Sequence, residues 1–185
     1  MKIVITASIL LNLALGAWLL LGSKAQPAAT PSESRYQICV AGIPKGETVP
    51  TFSGTDLSGA KIESASFSGS LVLVNFWSLS CAECLREIPL LNGLFVKYRN
   101  QGFTVVGVNT DVGDERERIK KFMQNMLITY PLILDAHGTM KSQFFVDRPP
   151  ASYLVGRDGR LIAVREEWLK MGDDGLSDLI KKHLE

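Results

Sequence analysis

Hydrophobic and polar positions divide this chain into a long apolar run, a polar stretch, and a longer region where short apolar runs alternate with amphipathic patterns. The first run, residues 3–21, contains no charged residue. As a helix rising about 1.5 Å per residue it would be about 28 Å long, close to the ~30 Å hydrocarbon core of a bilayer. Residues 1–22 are therefore predicted to form a membrane anchor or a signal peptide.

Two features of this leader point to different fates. Its apolar run is longer than the ~7–15 residues of a cleaved signal, which favours an anchor. Ser23-Lys24-Ala25, however, suits a signal peptidase, so both outcomes stay open. Lys2 precedes the run, and positive charge is retained on the cytoplasmic side. The rest of the chain is thus expected in the periplasm or extracytoplasmic space, held at the inner membrane or free if the leader is removed.

Residues 23–43 are predicted to be a linker that precedes a folded domain at 44–185. Residues 24–35 consist of polar and charged residues with Ala and Pro, and they have too little apolar surface to fold. Cys39 follows in a short β-prone piece. It either packs as a small apolar side chain at the domain edge or, as an odd cysteine, forms mixed or intermolecular disulfides.

The apolar runs of the third region predict an α/β domain. Residues 71–77 are apolar except for Asn75 and rich in Val and Phe, which is typical of a buried central strand. Residues 103–109 form a second such run. Helical periodicity and turn signals predict four further elements: helices at 114–123 and 176–184, and hairpins at 52–63 and around Asp158-Gly159.

Two cysteines, Cys81 and Cys84, follow the first buried strand and open a helical pattern. A cysteine that begins a helix lies beside unpaired backbone N–H groups and the positive end of the helix dipole, which favour the thiolate. A residue three positions later lies on the same helix face, within disulfide reach. We therefore predict a redox-active dithiol in which Cys81 attacks and Cys84 is the buried, resolving sulfur.

A zinc site and an inert structural disulfide are the alternatives for this cysteine pair. A tetrahedral zinc site needs two more Cys or His ligands. The chain offers only Cys39, His137 and His183, none of them in a second paired motif. A structural disulfide stays open on the spacing alone.

Glu83 lies between the cysteines, and no cationic residue does. A neighbouring carboxylate disfavours a second anion, so the thiolate of Cys81 is expected to be only moderately stabilised. Weak stabilisation of the thiolate makes a dithiol a reductant rather than an oxidant. The sequence therefore predicts a protein that donates electrons to disulfides.

The segment around the cysteines resembles the active-site segment of TlpA/ResA/CcmG-type thioredoxin-like proteins, written N-F-W-A-T-W-C-x-x-C-x-x-E-x-P. Here residues 75–89 read NFWSLSCAECLREIP. The similarity continues at residues 46–52, 103–109 and 150–160. It implies a thioredoxin-like fold, a central mixed sheet flanked by helices with an N-terminal β-hairpin extension, and the activity of a thiol-disulfide oxidoreductase.

The resemblance also implies further site residues. Glu87 matches a family glutamate with a proposed role in proton transfer near the dithiol, although it could serve only the helix dipole. Asn75, which cannot titrate, occupies the position of the buried acid of ordinary thioredoxins. Pro150 matches the cis proline that faces the cysteines, so the backbone of Pro149 is expected to pair with an extended substrate segment. Trp77 and Pro150 are expected to border that groove.

Membership of this family would imply protein substrates with disulfides or thiols and a membrane thiol-disulfide transporter as electron donor. Some members of the family act in cytochrome c maturation. No cofactor or metal is expected. Ser80 replaces the family's usual Trp before the first cysteine, which affects partner choice and redox poise. Basic and acidic residues nearly balance, at 20 and 19, and this argues against a nucleic-acid partner.

Three other functions remain as alternatives. A peroxiredoxin-like peroxidase also places a cysteine at a helix start, but its P-x-x-x-T/S-x-x-C pattern requires Pro where this chain has Val74. A copper metallochaperone with a thioredoxin-like fold would have three residues between its cysteines and a distant His. A non-catalytic binding module would not need both cysteines.

Overall fold

The protein's structure, a computed structural model, describes residues 42–172 and 174–185. The predicted leader and Cys39 lie outside these residues. Within the described ranges, no helix is long and apolar enough to cross a membrane.

A seven-stranded mixed sheet forms the centre of the domain. Its strands are β1 (Ser53–Thr55), β2 (Lys61–Glu63), β3 (Leu71–Trp77), β4 (Phe103–Asn109), β5 (Leu132–Leu134), β6 (Ala151–Val155) and β7 (Leu161–Val164). They are ordered β2-β1-β5-β4-β3-β6-β7. Strands β3, β4 and β5 are mutually parallel, whereas β6, β7 and the β1–β2 hairpin pair in antiparallel fashion.

In the described part of the chain, five α-helices cover this sheet. They are α1 (Ala82–Tyr98), α2 (Arg116–Asn125), α3 (Thr139–Gln143), α4 (Arg165–Leu169) and α5 (Gly175–Leu184), with short 3-10 helices at Ser64–Phe67 and Arg99–Gln101. Buried residues of α1, α2 and α5 pack on one face of the sheet, while those of α3 and of the segment before β1 pack on the other. The predicted α/β class, with a mixed sheet flanked by helices, is confirmed.

Strand β3 is central because both of its faces are covered. Leu73 and Trp77 belong to the cluster beneath α1, and Val74 and Phe76 to the cluster on the opposite face. All seven residues of the strand are buried, which explains why Asn75 is its one polar residue. Its end carries the chain directly into the cysteine pair.

The predicted N-terminal hairpin forms at one edge of the sheet. Strands β1 and β2 pair from Ser53–Glu63 to Thr55–Lys61. The Asp56 carboxylate accepts hydrogen bonds from the backbone of Ser58 and Ala60 and so stabilises the turn. Hydrogen bonding between β1 and β5 then joins the hairpin to the sheet.

Candidate active site

The two cysteines form a disulfide bond across the first turn of α1. Cys81 is the N-cap residue of this helix, and its Sγ accepts a hydrogen bond from the Cys84 N–H at 3.1 Å. Cys84 is fully buried, at 0% exposure, whereas Cys81 is partly exposed. Of the two sulfurs, a partner can therefore approach that of Cys81, and a helix terminus faces it.

The loop before Cys81 is tied to the neighbouring strand by one carboxylate. Asp111 Oδ2 accepts hydrogen bonds from the Leu79 N–H at 2.8 Å and from Asn109 Nδ2 at 2.7 Å. Asn109 Oδ1 in turn accepts from the Asp111 N–H at 3.1 Å. Sequence analysis missed this pair, although polar residues at the end of a buried strand beside β3 were a usable signal.

An arginine bridges two carboxylates of the active-site helix. Arg165 Nε–H donates to Glu87 Oε2 at 3.0 Å, and its Nη2 donates to Glu83 Oε1 at 2.9 Å. The side chains of Arg165 and Glu87 are only 11% and 12% exposed, against 55% for Glu83. Burial opposes the charge of Arg165, but attraction and hydrogen bonds from both glutamates outweigh it and raise the pKa of Arg165.

This bridge corrects the expectation that Glu83 acts on the dithiol as an unpaired charge. The residue that pairs with it lies 82 positions further along the chain, immediately after β7. No local pattern indicates this contact, because it depends on where the end of β7 meets α1. The carboxylates of Glu83 and Glu87 and the guanidinium of Arg165 form an ion-paired group of three side chains with a net charge of −1.

Glu87 lies one helical turn beyond Cys84, on the side of α1 that faces the interior. Its carboxylate also influences Tyr130, which is 3% exposed. Burial, and then the charge of Glu87, raise the pKa of Tyr130 well above its usual range. Tyr130 is therefore a neutral neighbour of this carboxylate, and sequence analysis had not singled it out.

Asn75 is fixed in the core by a hydrogen bond from its Nδ2 to Ser152 Oγ at 2.9 Å. It is 1% exposed, and Ser152 is its register partner on β6. Every second residue of a strand faces the same side of the sheet, so Asn75 faces the side of Leu73 and Trp77, which α1 covers. Asn75 therefore lies on the same side of the sheet as Cys84. The side chain has no titratable group, in agreement with the sequence argument.

Trp77 does not border a substrate groove, and that prediction is wrong. Its side chain has 0% exposure and packs against the Phe122 ring at a centroid distance of 5.4 Å. Gly107 on β4 leaves the space, since a Cβ there would lie 3.3 Å from Trp77 Nε1. A side chain enclosed in this way supports the floor of the site but cannot contact a partner protein.

Pro149 and Pro150 lie at the same end of the sheet as the cysteines. The bond between them is cis, and both residues are partly exposed. Ala151, which follows, pairs with Phe76 one residue before the end of β3. The register therefore brings the two prolines and the loop before Cys81 to the same end of the sheet.

The described residues contain no cluster of three or more His, Cys, Asp or Glu side chains that could hold a metal ion. His137 lies exposed in the turn before α3.

A partly exposed cysteine at a helix N-terminus, paired with a buried cysteine and placed after the central strand of this mixed sheet, defines the class of thioredoxin-like thiol-disulfide oxidoreductases. The chain belongs to the AhpC/TSA family, whose sequence profile matches residues 45–164. The resemblance to ResA-type proteins seen in the sequence is confirmed by its relatives.

Three similar proteins illustrate this relationship. Thiol-disulfide oxidoreductase ResA of Bacillus thuringiensis subsp. konkukian is 33% identical over 117 residues, covering 63% of this chain and 66% of the relative. ResA of Geobacillus thermodenitrificans is 29% identical over 140 residues, covering 76% of each. The solution structure of a thiol:disulfide interchange protein from Bacteroides sp. has a TM-score of 0.67 at 26% identity, covering 77% of this chain and 91% of that one.

Proposed function

We propose that the protein reduces disulfide bonds of other proteins through the Cys81–Cys84 dithiol. The observation that carries this proposal is the contrast between the two sulfurs: Cys81 is partly exposed at the N-cap of α1, and Cys84 behind it is completely buried. Such an asymmetric pair suits attack by the outer sulfur and release by the inner one.

The reaction proceeds in two exchanges. The Cys81 thiolate attacks one sulfur of the partner's disulfide, forming a mixed disulfide and releasing the partner's first thiolate. The Cys84 thiolate then attacks the Cys81 sulfur, which closes the Cys81–Cys84 bond and releases the second thiolate. Two electrons pass from the dithiol to the partner, and the protons lost by the two cysteines are balanced by those that the two released thiolates take up.

Glu87 is proposed to accept the proton that Cys84 must lose before it can attack. Its carboxylate is nearly buried and one helical turn from Cys84, while Asn75 cannot accept a proton. The bond to Arg165 orients the Glu87 carboxylate at one oxygen, Oε2, and leaves the other oxygen for proton transfer.

Replacing Glu87 by Gln should slow turnover by about tenfold or more, because general-base catalysis typically contributes at least ~10²-fold and water can substitute in part. The rate should also become less dependent on pH, since the group proposed to accept the proton of Cys84 has been removed. Steady-state reduction of a protein disulfide from pH 5 to 9 measures both. Glu166→Gln, which removes an exposed carboxylate next to Arg165, is the matched control. A Glu87→Gln enzyme with the wild-type profile would mean that the base lies elsewhere.

The proposed direction, reduction, is supported by the charges around the dithiol. Arg165 offsets one of the two carboxylates that it contacts, so this group of three side chains keeps a net charge of −1, which opposes a strongly stabilised thiolate. The equilibrium potential of the Cys81–Cys84 pair should therefore lie nearer thioredoxin's value of about −270 mV than DsbA's value of about −120 mV.

Equilibration of the purified protein against glutathione measures this potential, with thiol content read by mass after alkylation. A potential above about −180 mV, the range of protein disulfide isomerase, would contradict the reductase proposal. Parallel incubations of the reduced protein with hydrogen peroxide and with copper test the peroxidase and the copper metallochaperone alternatives. Rapid oxidation by peroxide with no reaction toward protein disulfides would favour a peroxidase instead.

Substrate binding is proposed at the end of the sheet where Pro149 and Pro150 lie, before β6. An extended segment of the substrate would pair with the Pro149 backbone as an added strand, next to the exposed sulfur of Cys81. The partial exposure of both prolines and the register of β6 against β3 support this position. With Trp77 buried, the groove is formed by backbone and by Pro150.

We further propose that residues 1–22 direct the chain to the membrane, residues 23–43 form a flexible linker, and residues 44–185 carry the activity on the extracytoplasmic side. A membrane thiol-disulfide transporter would then supply the electrons, and thiol groups of proteins such as apocytochrome c would be among the substrates. The similarity to ResA proteins and the uncharged run at residues 3–21 support this arrangement.

A further inference from the structure

We propose that Arg165 is a positioning residue of the dithiol reaction: its guanidinium holds Glu83 and Glu87 in place and lessens the repulsion that they exert on the Cys81 thiolate. The inference rests on the proposed redox activity of the dithiol but not on the proton-transfer role of Glu87. No basic residue lies between the two cysteines, and Arg86, the basic residue of the quoted motif at 75–89, is exposed.

The geometry of the contact suits an arginine. Two different nitrogens, Nε and Nη2, reach two different carboxylates, at 3.0 Å to Glu87 and 2.9 Å to Glu83. The guanidinium is planar and presents its donors as a rigid fork, so one side chain can hold both acids at once. A lysine ammonium at the same position has the charge but only a single nitrogen.

The position of Arg165 makes its charge a constant feature of the site. The side chain is only 11% exposed, and the two glutamates raise its pKa above its already high ordinary value. Its stabilising charge is therefore present at every pH below that ordinary value, which includes the whole working range. Tyr130, whose pKa the charge of Glu87 also influences, stays neutral because burial raises its pKa.

The consequence concerns the Cys81 thiolate. Glu83 lies between the cysteines in the first turn of α1, and Glu87 lies one turn further. Without Arg165, both carboxylates would repel a thiolate at the N-cap and oppose the helix dipole that favours it. Cys81 would then be less reactive, and the equilibrium between dithiol and disulfide would move toward the disulfide.

The test uses the full-length protein and two readouts that a purely structural role would not change. These are the alkylation rate of reduced Cys81 at pH 7 and the equilibrium constant of the dithiol with glutathione. Arg165→Gln should lower the alkylation rate about threefold to tenfold, the order expected when one charge is removed from a partly solvated site. The glutathione equilibrium should shift toward the Cys81–Cys84 disulfide.

Three further variants separate charge from geometry. Arg165→Lys should give an intermediate rate, because the charge is kept but the fork is lost. Glu83→Gln should raise the rate, and adding it to Arg165→Gln should restore most of the wild-type value. Arg86→Gln removes an exposed positive charge from α1, the helix that carries both glutamates, and should change the alkylation rate less than twofold.

Each result decides the proposal. If Arg165→Gln matches the wild type, or if Arg86→Gln has an equal effect, Arg165 does not act through the two glutamates. If Arg165→Gln fails to fold, the opposite shifts expected for Glu83→Gln and Arg165→Lys still test the proposal. A wild-type protein whose cysteines do not equilibrate with glutathione would instead contradict the proposed function itself.

Discussion

Replacing Cys81 by Ser should abolish disulfide reduction, whereas replacing Cys84 by Ser should leave a protein that accumulates mixed disulfides with its substrates. The reason is that only the Cys81 sulfur is accessible to a partner, while the fully buried Cys84 is needed to release it. Reduction of insulin measures the loss of activity. Non-reducing electrophoresis and mass spectrometry detect the trapped species.

Both variants should be made in a Cys39→Ser background, so that the third cysteine does not contribute adducts or label. In the reduced protein with both active-site cysteines, alkylation should modify Cys81 first. Preferential labelling of Cys84 would reverse the assignment of the two sulfurs. The same Cys84 variant, expressed in the native host, would capture the physiological partner as a disulfide-linked complex.

Trp77→Ala should lower the free energy of unfolding by about 3–5 kcal/mol, the range found when a large buried aromatic side chain is removed. Trp77 has no exposed surface. It packs against Phe122 and fills the space that the missing side chain of Gly107 leaves open. Its removal therefore leaves a cavity next to the end of β3. Chemical denaturation of the oxidised protein measures the loss. Trp77→Phe should cost less, because it retains a ring.

The control for this prediction is Phe145→Ala, which removes an aromatic side chain that is 63% exposed. It should change the free energy of unfolding by about 0.5 kcal/mol or less, as surface substitutions usually do. A Trp77→Ala protein of wild-type stability that had only a raised KM for protein disulfides would restore the groove role that burial argues against.

The strand, redox loop and helix at residues 71–98 could be predicted because their signals are local. An apolar run that only Asn75 interrupts, bounded by a turn, indicates a buried strand, and two cysteines three positions apart at a helix start share one helix face. The same is true of the turns at Asp56-Gly59 and Asp158-Gly159, which lie where the structure has its hairpins. Local spacing was thus enough for the sheet's central elements and for the dithiol.

The apolar pattern of residues 71–77 does not predict which face of the sheet Trp77 occupies. In a strand that is buried on both faces, apolar residues occur at every position, so the sequence does not tell which side each one faces. Only the packed sheet shows that Trp77 points beneath α1 toward Phe122, and that Gly107 makes room for it.

By itself, the sequence determined the class of fold, the cysteine pair and the end of the sheet where the chemistry takes place, because each depends on residues close together in the chain. The tertiary structure alone decided the electrostatic environment of that pair. Arg165 reaches Glu83 across 82 positions only because β7 ends beside α1. Charges act through space rather than along the chain, so the net field at Cys81 is set by the packing of distant elements.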